Sequence, residues 1–178
     1  MRVGYRIGVA IAVLAVASCT PRQPAPQPRP PQVERPAERP LPGATYFALV
    51  ASIDLYQVHA GELALQRSGS DSYRNFARRM IEEHRGLASQ LSMAGRRLNL
   101  LPPNIVQPEQ QGWLDELAAT NSAAEFDAAY RRQQLAAHDA SYRAHYAFAY
   151  GGDSPTLRLV ARSAAGIEQD HARQMRAL

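Results

Sequence analysis

The chain has one cysteine, Cys19, and no lysine among its 178 residues. A lone thiol has no partner for an intramolecular disulfide, and it cannot supply a Cys-x-x-Cys redox or zinc motif or the Cys-x-x-Cys-His of covalent haem. No segment alternates apolar and polar residues with a period of two, which argues against a sheet. A Gly-x-Ser-x-Gly elbow, a Walker loop and a dinucleotide fingerprint are all missing, so no catalytic residue is assigned. Long apolar runs are lacking as well: Ile7 to Ala17 is about half of the ~20 residues that cross a bilayer core. Excess charge is confined to one end. The net +4 falls within residues 1–42, where six arginines face Glu34 and Glu38, whereas from Gly43 onward 14 arginines balance 14 acids. The pairs Arg78-Arg79, Arg96-Arg97 and Arg131-Arg132 lie among acids and read as solvated helix flanks, so no nucleic-acid partner is expected.

What the amino-terminal end does contain is an export signal. Arg2 and Arg6 precede the short apolar run, and Val16-Ala17-Ser18-Cys19 resembles the bacterial lipobox, whose cysteine becomes the acylated first residue of the mature protein. Residues 1–18 are expected to be a lipoprotein signal peptide, with Cys19 as the lipid attachment site. Thr20, where aspartate would signal retention, implies sorting to the outer membrane, with the domain facing the periplasm or the cell surface. Nine of the thirteen prolines lie between Pro21 and Pro42. Such a segment buries no core, and residues 19–42 read as an extended tether of some tens of ångströms at about 3.1 Å per residue. The lipid-anchored membrane is the one partner these features name; envelope protein partners stay unidentified.

From Gly43 to Leu178 the period changes to that of helices. Tyr73, Ala77, Met80, His84, Leu87, Leu91, Ala94 and Leu98 recur in steps of three and four, as do Leu157, Val160, Ala164, Ile167, His171, Gln174 and Leu178. Phe126, Tyr130, Gln134, Ala137/His138, Ser141, His145 and Phe148 form a more polar stripe, and Phe47, Val50, Leu55, Val58, Glu62 and Leu65 supply a first helix. Ser68-Gly69 and Gly151-Gly152 punctuate two helical hairpins, Ser70 and Ser154 are N-cap candidates, and Ser122 with Glu125 reads as a capping box. Between the hairpins, Asn99 to Asn121 carries Pro102-Pro103, Pro108 and a short amphipathic piece, Glu109 to Ala119. A connector of that length can cross a bundle. The expected fold is all-α: a ferritin-like antiparallel four-helix bundle with a long connector and a short extra helix between the second and third long helices.

Glu62, the block Phe76-Ala77-Arg78-Arg79-Met80-Ile81-Glu82-Glu83-His84, the block Glu125-Phe126-Asp127-Ala128-Ala129-Tyr130, His138 and His171 together resemble an uncharacterised family of bacterial envelope proteins. It is known as domain of unknown function 4142 and is described as ferritin-like. The likeness covers most of Ala44 to Leu178. It implies an exported four-helix bundle and no established activity.

A histidine lies on or beside the apolar stripe of every long helix: His59, His84, His138 with His145, and His171. An imidazole in a bundle core needs a hydrogen bond, a carboxylate or a metal ion. Glu62, His84, His138 and His171 form the first candidate set for a transition-metal ion; His59, Asp127 and Glu168 are second candidates. Glu168-x-x-His171 has the spacing of ferritin-type ligands, but Ile81 precedes His84 by three, and Glu82 and Glu83 are expected to point elsewhere. With a crossing connector, His59, Glu62, Asp127, Tyr130, Glu168 and His171 fall near one end of the bundle, and His84 and His138 pair at a deeper level. Two readings follow. In the first, the histidines specify helix register, Asp127 and Tyr130 hydrogen-bond across the bundle, and the protein is a membrane-tethered envelope lipoprotein with a structural or interaction role. In the second, it is a ferritin-like metal-binding or metal-dependent redox protein. The incomplete ligand set and neutral domain favour the first.

Overall fold

The computed structural model describes residues 39–178. The expected signal peptide, Cys19 and nearly all of the tether lie outside the described residues. Those residues form five helices and no strand: α1 (Gly43–Arg67), α2 (Asp71–Arg96), α3 (Pro108–Ala119), α4 (Ala123–Gly151) and α5 (Pro155–Ala177). None of these helices is long and apolar enough to cross a membrane.

Local chemistry sets the helix limits. The Ser70, Ser122 and Ser154 hydroxyls accept hydrogen bonds from the backbone N–H groups of Tyr73, Glu125 and Leu157, which satisfies donors that a helix start leaves free. At α4 the Glu125 carboxylate also reaches back past the cap, where the Asn121 N–H donates to Glu125 Oε2 at 2.8 Å. Helix α2 ends through Asn99, whose φ of 57° reverses the chain. Gly152 closes α4 for a different reason: a Cβ there would lie 2.5 Å from the Phe148 ring.

Contacts along the helices give their directions. Tyr46 at the start of α1 meets His145 and Phe148 near the end of α4, and Ser68 just beyond α1 meets Asp127 near the start of α4. Helices α1 and α4 are therefore antiparallel. Early α2 meets late α5, through Arg79 with Gln174 and Glu83 with His171, so that pair is antiparallel too. Because α1 and α2 form a hairpin, α2 and α4 run the same way, and the connector must cross the length of the bundle. On its way it lays α3 against α1 and α4, with Leu117 buried.

The core is apolar at both ends. One cluster gathers Tyr56, Phe76, Met80, Phe126, Tyr130 and Met175; the other gathers Tyr46, Phe47, Leu91, Phe148 and Leu157. Between them in sequence, on all four long helices, sit buried Asp54, His84, His138, Ser141, His145, Glu168 and His171, with buried Gln57 beside Tyr56. A fully apolar band would be expected to stabilise a bundle at least as well, so this polar layer calls for another explanation.

Candidate metal centre

Two of the interior stripes differ from the expected ones. In α1 the buried positions include Phe47, Val50, Asp54, Gln57, Gly61 and Ala64, while Leu55, Val58, Glu62 and Leu65 are only half-buried. In α5 they are Leu157, Ala161, Ala164, Glu168, His171 and Met175, with Ile167 and Gln174 displaced to the flank. Both stripes keep the steps of three and four. The shift turns Asp54 and Glu168 inward, and with them the buried charge.

One donor atom each from His84, His138, Glu168 and His171 lies within 4.8 Å of all the others, and all four residues are buried. The imidazole rings face one another with centroids 5.6 Å apart for His84 and His138, 5.3 Å for His84 and His171, and 5.1 Å for His138 and His171. Each has a carboxylate: His84 Nδ1 lies 2.9 Å from Asp54 Oδ1, His138 Nδ1 lies 2.8 Å from Glu168 Oε2, and His171 Nε2 meets Glu83 Oε2. Ser141 Oγ donates to the other Glu168 oxygen at 2.9 Å. The opposite nitrogens of two rings, His84 Nε2 and His171 Nδ1, are buried with no hydrogen-bond partner.

Burial alone would raise the Glu168 pKa, but the surrounding His84, His138 and His145 outweigh it and hold the carboxyl well below its usual range. Burial pulls His84 down, yet the Glu168, Asp54 and Glu83 carboxylates together carry it above its ordinary value. Asp54 is pushed up to about 6 by burial, against the opposing pull of His84. His138 is lowered, mainly by burial, and His171 is lowered to about 4, by burial and then by His138 and His84. The interior thus holds carboxylate charge beside His138 and His171, which burial keeps neutral, and beside His84, which its carboxylate partners favour in the charged form. That combination of hard oxygen and borderline nitrogen donors suits a first-row transition-metal cation.

The profile of a family described as a domain of unknown function, DUF4142, matches residues 27–178. The chain belongs to that family. No curated protein matches this DUF4142 chain in sequence. Among solved structures it is similar to CopM in the Cu(I)-bound form, with a TM-score of 0.63 and 15% identity over 75% of this chain and 92% of that chain. For CopM in the Cu(II)-bound form the TM-score is 0.64 at 14% identity, covering 78% and 95%. A DUF305 fragment from Deinococcus radiodurans gives 0.65 at 13% identity, covering 75% and 92%. At these identities the likeness is one of fold.

Against the candidate ligands read from sequence, the structure brings together His84, His138 and His171 with Glu168 from the second set, and leaves Glu62 out. Glu62 is on the surface of α1, 42% exposed, with its oxygens 3.0 Å from Arg85 and 3.5 Å from His59, which is itself 51% exposed. The stripe shift accounts for that placement. Asp127 accepts from Ser68 Oγ at 2.5 Å, beside the α1–α2 turn. Tyr130 OH is buried and has no hydrogen-bond partner, so it does not bond across the bundle as expected. Glu168 and His171 share the level of His84 and His138, not a shallower one, and Glu83 points at His171 instead of away. Asp54 belongs to neither candidate set, yet it is buried against His84. Its signal was available in the steps Phe47, Val50, Asp54, Gln57, Gly61 and Ala64, which place a carboxylate mid-stripe.

Proposed function

We propose that this DUF4142 protein binds a transition-metal ion inside a ferritin-like bundle, through His84, His138, His171 and Glu168. The observation that carries this reading is the convergence of one donor atom from each of the four side chains within 4.8 Å, in a layer where His84 Nε2 and His171 Nδ1 are buried without a hydrogen-bond partner. Donors around a tetrahedral ion with ~2.1 Å bonds stand about 3.4 Å apart, and a modest inward turn of the side chains closes that difference. Asp54 and Glu83 accept from the far nitrogens of His84 and His171, which is how carboxylates fix the tautomer and basicity of metal-binding imidazoles. Copper is the first metal to test, because divalent copper binds most tightly in the first-row order and the fold is similar to that of copper-bound CopM.

A lipid on Cys19 and the proline-rich tether would hold this bundle at the outer membrane, where a metal-binding module meets ions before they reach the cell interior. Elemental analysis of protein purified without chelator, followed by titration with Cu(II), Cu(I) and Zn(II), tests the site. The expected result is one ion per chain in the unaltered protein and none in a Glu168→Ala, His171→Ala double variant that remains folded. No binding, or equal binding by both proteins, would refute the reading.

A second role is favoured by the surface. Tyr142, Tyr146 and Tyr150 form a ladder along α4, with ring centroids 5.7 and 4.9 Å apart, and Tyr146 and Tyr150 are 51% and 71% exposed. Exposed aromatics of this kind suit contact with another envelope component. Crosslinking in intact cells with and without Tyr146→Ser and Tyr150→Ser tests it, and an unchanged crosslinking pattern would discard the idea.

A further inference from the structure

Because the four donors are buried, an ion must cross the bundle wall to reach them. Helix α3 packs over the seam between α1 and α4. The opposite seam holds a groove of about 470 Å³ whose lining comes from α2 and α5 alone, and His171 lies on its floor. His171 is 1% exposed because the Glu83 carboxylate covers it from the groove side, bonding Nε2. Glu83 itself is 42% exposed, and its second oxygen lies 3.6 Å from Arg79 Nε. Arg79 in turn donates to Gln174 Oε1 across the groove at 2.5 Å. Glu83 therefore touches water on one side and a member of the donor cluster on the other, and the second nitrogen of that same imidazole is partnerless.

The groove is also left open by a missing side chain. Gly86, one turn beyond Glu83, lines it, and a Cβ there would meet nothing within 4 Å. No glycine among the described residues has positive φ, so backbone conformation does not require glycine at this position. Mid-helix glycine weakens a helix relative to alanine, and neither packing nor geometry compensates for that here.

We propose that the α2/α5 groove is the route by which a transition-metal cation reaches the cluster. Glu83 receives the ion from water and passes it to His171, and Arg79 latches Glu83 over the site until the ion replaces it as the counter-charge. This rests on the metal-binding reading above. If Glu83 served only to orient His171, its loss would speed release of the ion and leave association alone. A route instead sets the barrier in both directions.

Stopped-flow mixing of the purified protein with Cu(II), and release into excess chelator, separates the rates in Gly86→Leu, Glu83→Gln and Arg79→Gln variants. Gly86→Leu projects into the open groove and touches no donor. It should slow association and release together by about tenfold, with stoichiometry and Kd unchanged. Glu83→Gln should slow association by about tenfold, the scale of electrostatic guidance, and Arg79→Gln should quicken it. Unchanged association in both Gly86→Leu and Glu83→Gln, with the ion still bound, would overturn the route and leave the site standing. Faster release alone in Glu83→Gln would make Glu83 a positioning residue. Absence of binding to the unaltered protein would overturn both readings.

Discussion

Replacing Asp54 tests whether the polar layer supports a metal or merely satisfies itself. Asp54 is 5% exposed and His84 fully buried, and the carboxylate accepts from His84 Nδ1 at 2.9 Å. In Asp54→Ala that N–H is left buried without an acceptor, which costs about 1 to 3 kcal/mol. For a domain of this size each kcal/mol lowers Tm by about 3 to 4 °C, so a fall of about 3 to 12 °C is expected in metal-free protein. Asp54→Asn keeps an oxygen in the same place, and its metal-free Tm should return to within a few degrees of the original. Metal affinity separates the two roles. Losing the negative charge behind a metal-binding imidazole weakens the site by about 10- to 100-fold, or about 1.4 to 2.8 kcal/mol. Both variants should show that loss, including the asparagine variant whose fold is intact. Thermal melts in chelator give the first quantity, and competition with a chromophoric chelator gives the second. An asparagine variant that binds metal as tightly as the unaltered protein would refute the supporting role, and an alanine variant with unchanged Tm would refute the hydrogen bond.

Metal-free stability should fall as pH drops. His145 and His171 are each lowered to about 4 from an ordinary 6.5, so their neutral burial stabilises fully above 6.5 and that contribution is lost as pH falls towards 4. Asp54, raised from 3.8 to about 6, opposes them over part of the window. With the histidines outnumbering it, the net slope is roughly 1 kcal/mol per pH unit, measurable by urea denaturation between those limits; a flat profile would contradict it. Gly152→Ala places a Cβ 2.5 Å from the Phe148 ring, which is stacked on Tyr46 with centroids 4.0 Å apart, and should cost about 1 to 3 kcal/mol in the same assay. Cys19→Ser should release the protein from membranes on fractionation; continued membrane association with unchanged mass would end the lipoprotein reading.

The sequence by itself determined the helical class, the helix limits and the polar character of the interior. Serine caps, Pro155 at a helix start and the three-and-four spacing are local properties that need no partner to be read. The stripes of α2 and α4, with His84, His138, Ser141 and His145 inside them, were legible for the same reason. Only the tertiary structure decided which carboxylates join them. A stripe read one residue off still looks helical, because adjacent positions lie only about 100° apart around a helix, and Leu55 and Ile167 are as apolar as any core residue. Packing against α2 and α4 resolved that ambiguity by turning Asp54 and Glu168 inward and leaving Glu62 outside with Arg85. The level of the site was likewise not legible: residue counting from the turns puts Glu168 and His171 nearer one end than His84 and His138, and the packed helices bring all four to one level. The connector's crossing fixed the direction of α4 against α1 and α2, while the register of the α4–α5 hairpin set a carboxylate three residues before His171 opposite a histidine thirty positions earlier in the chain.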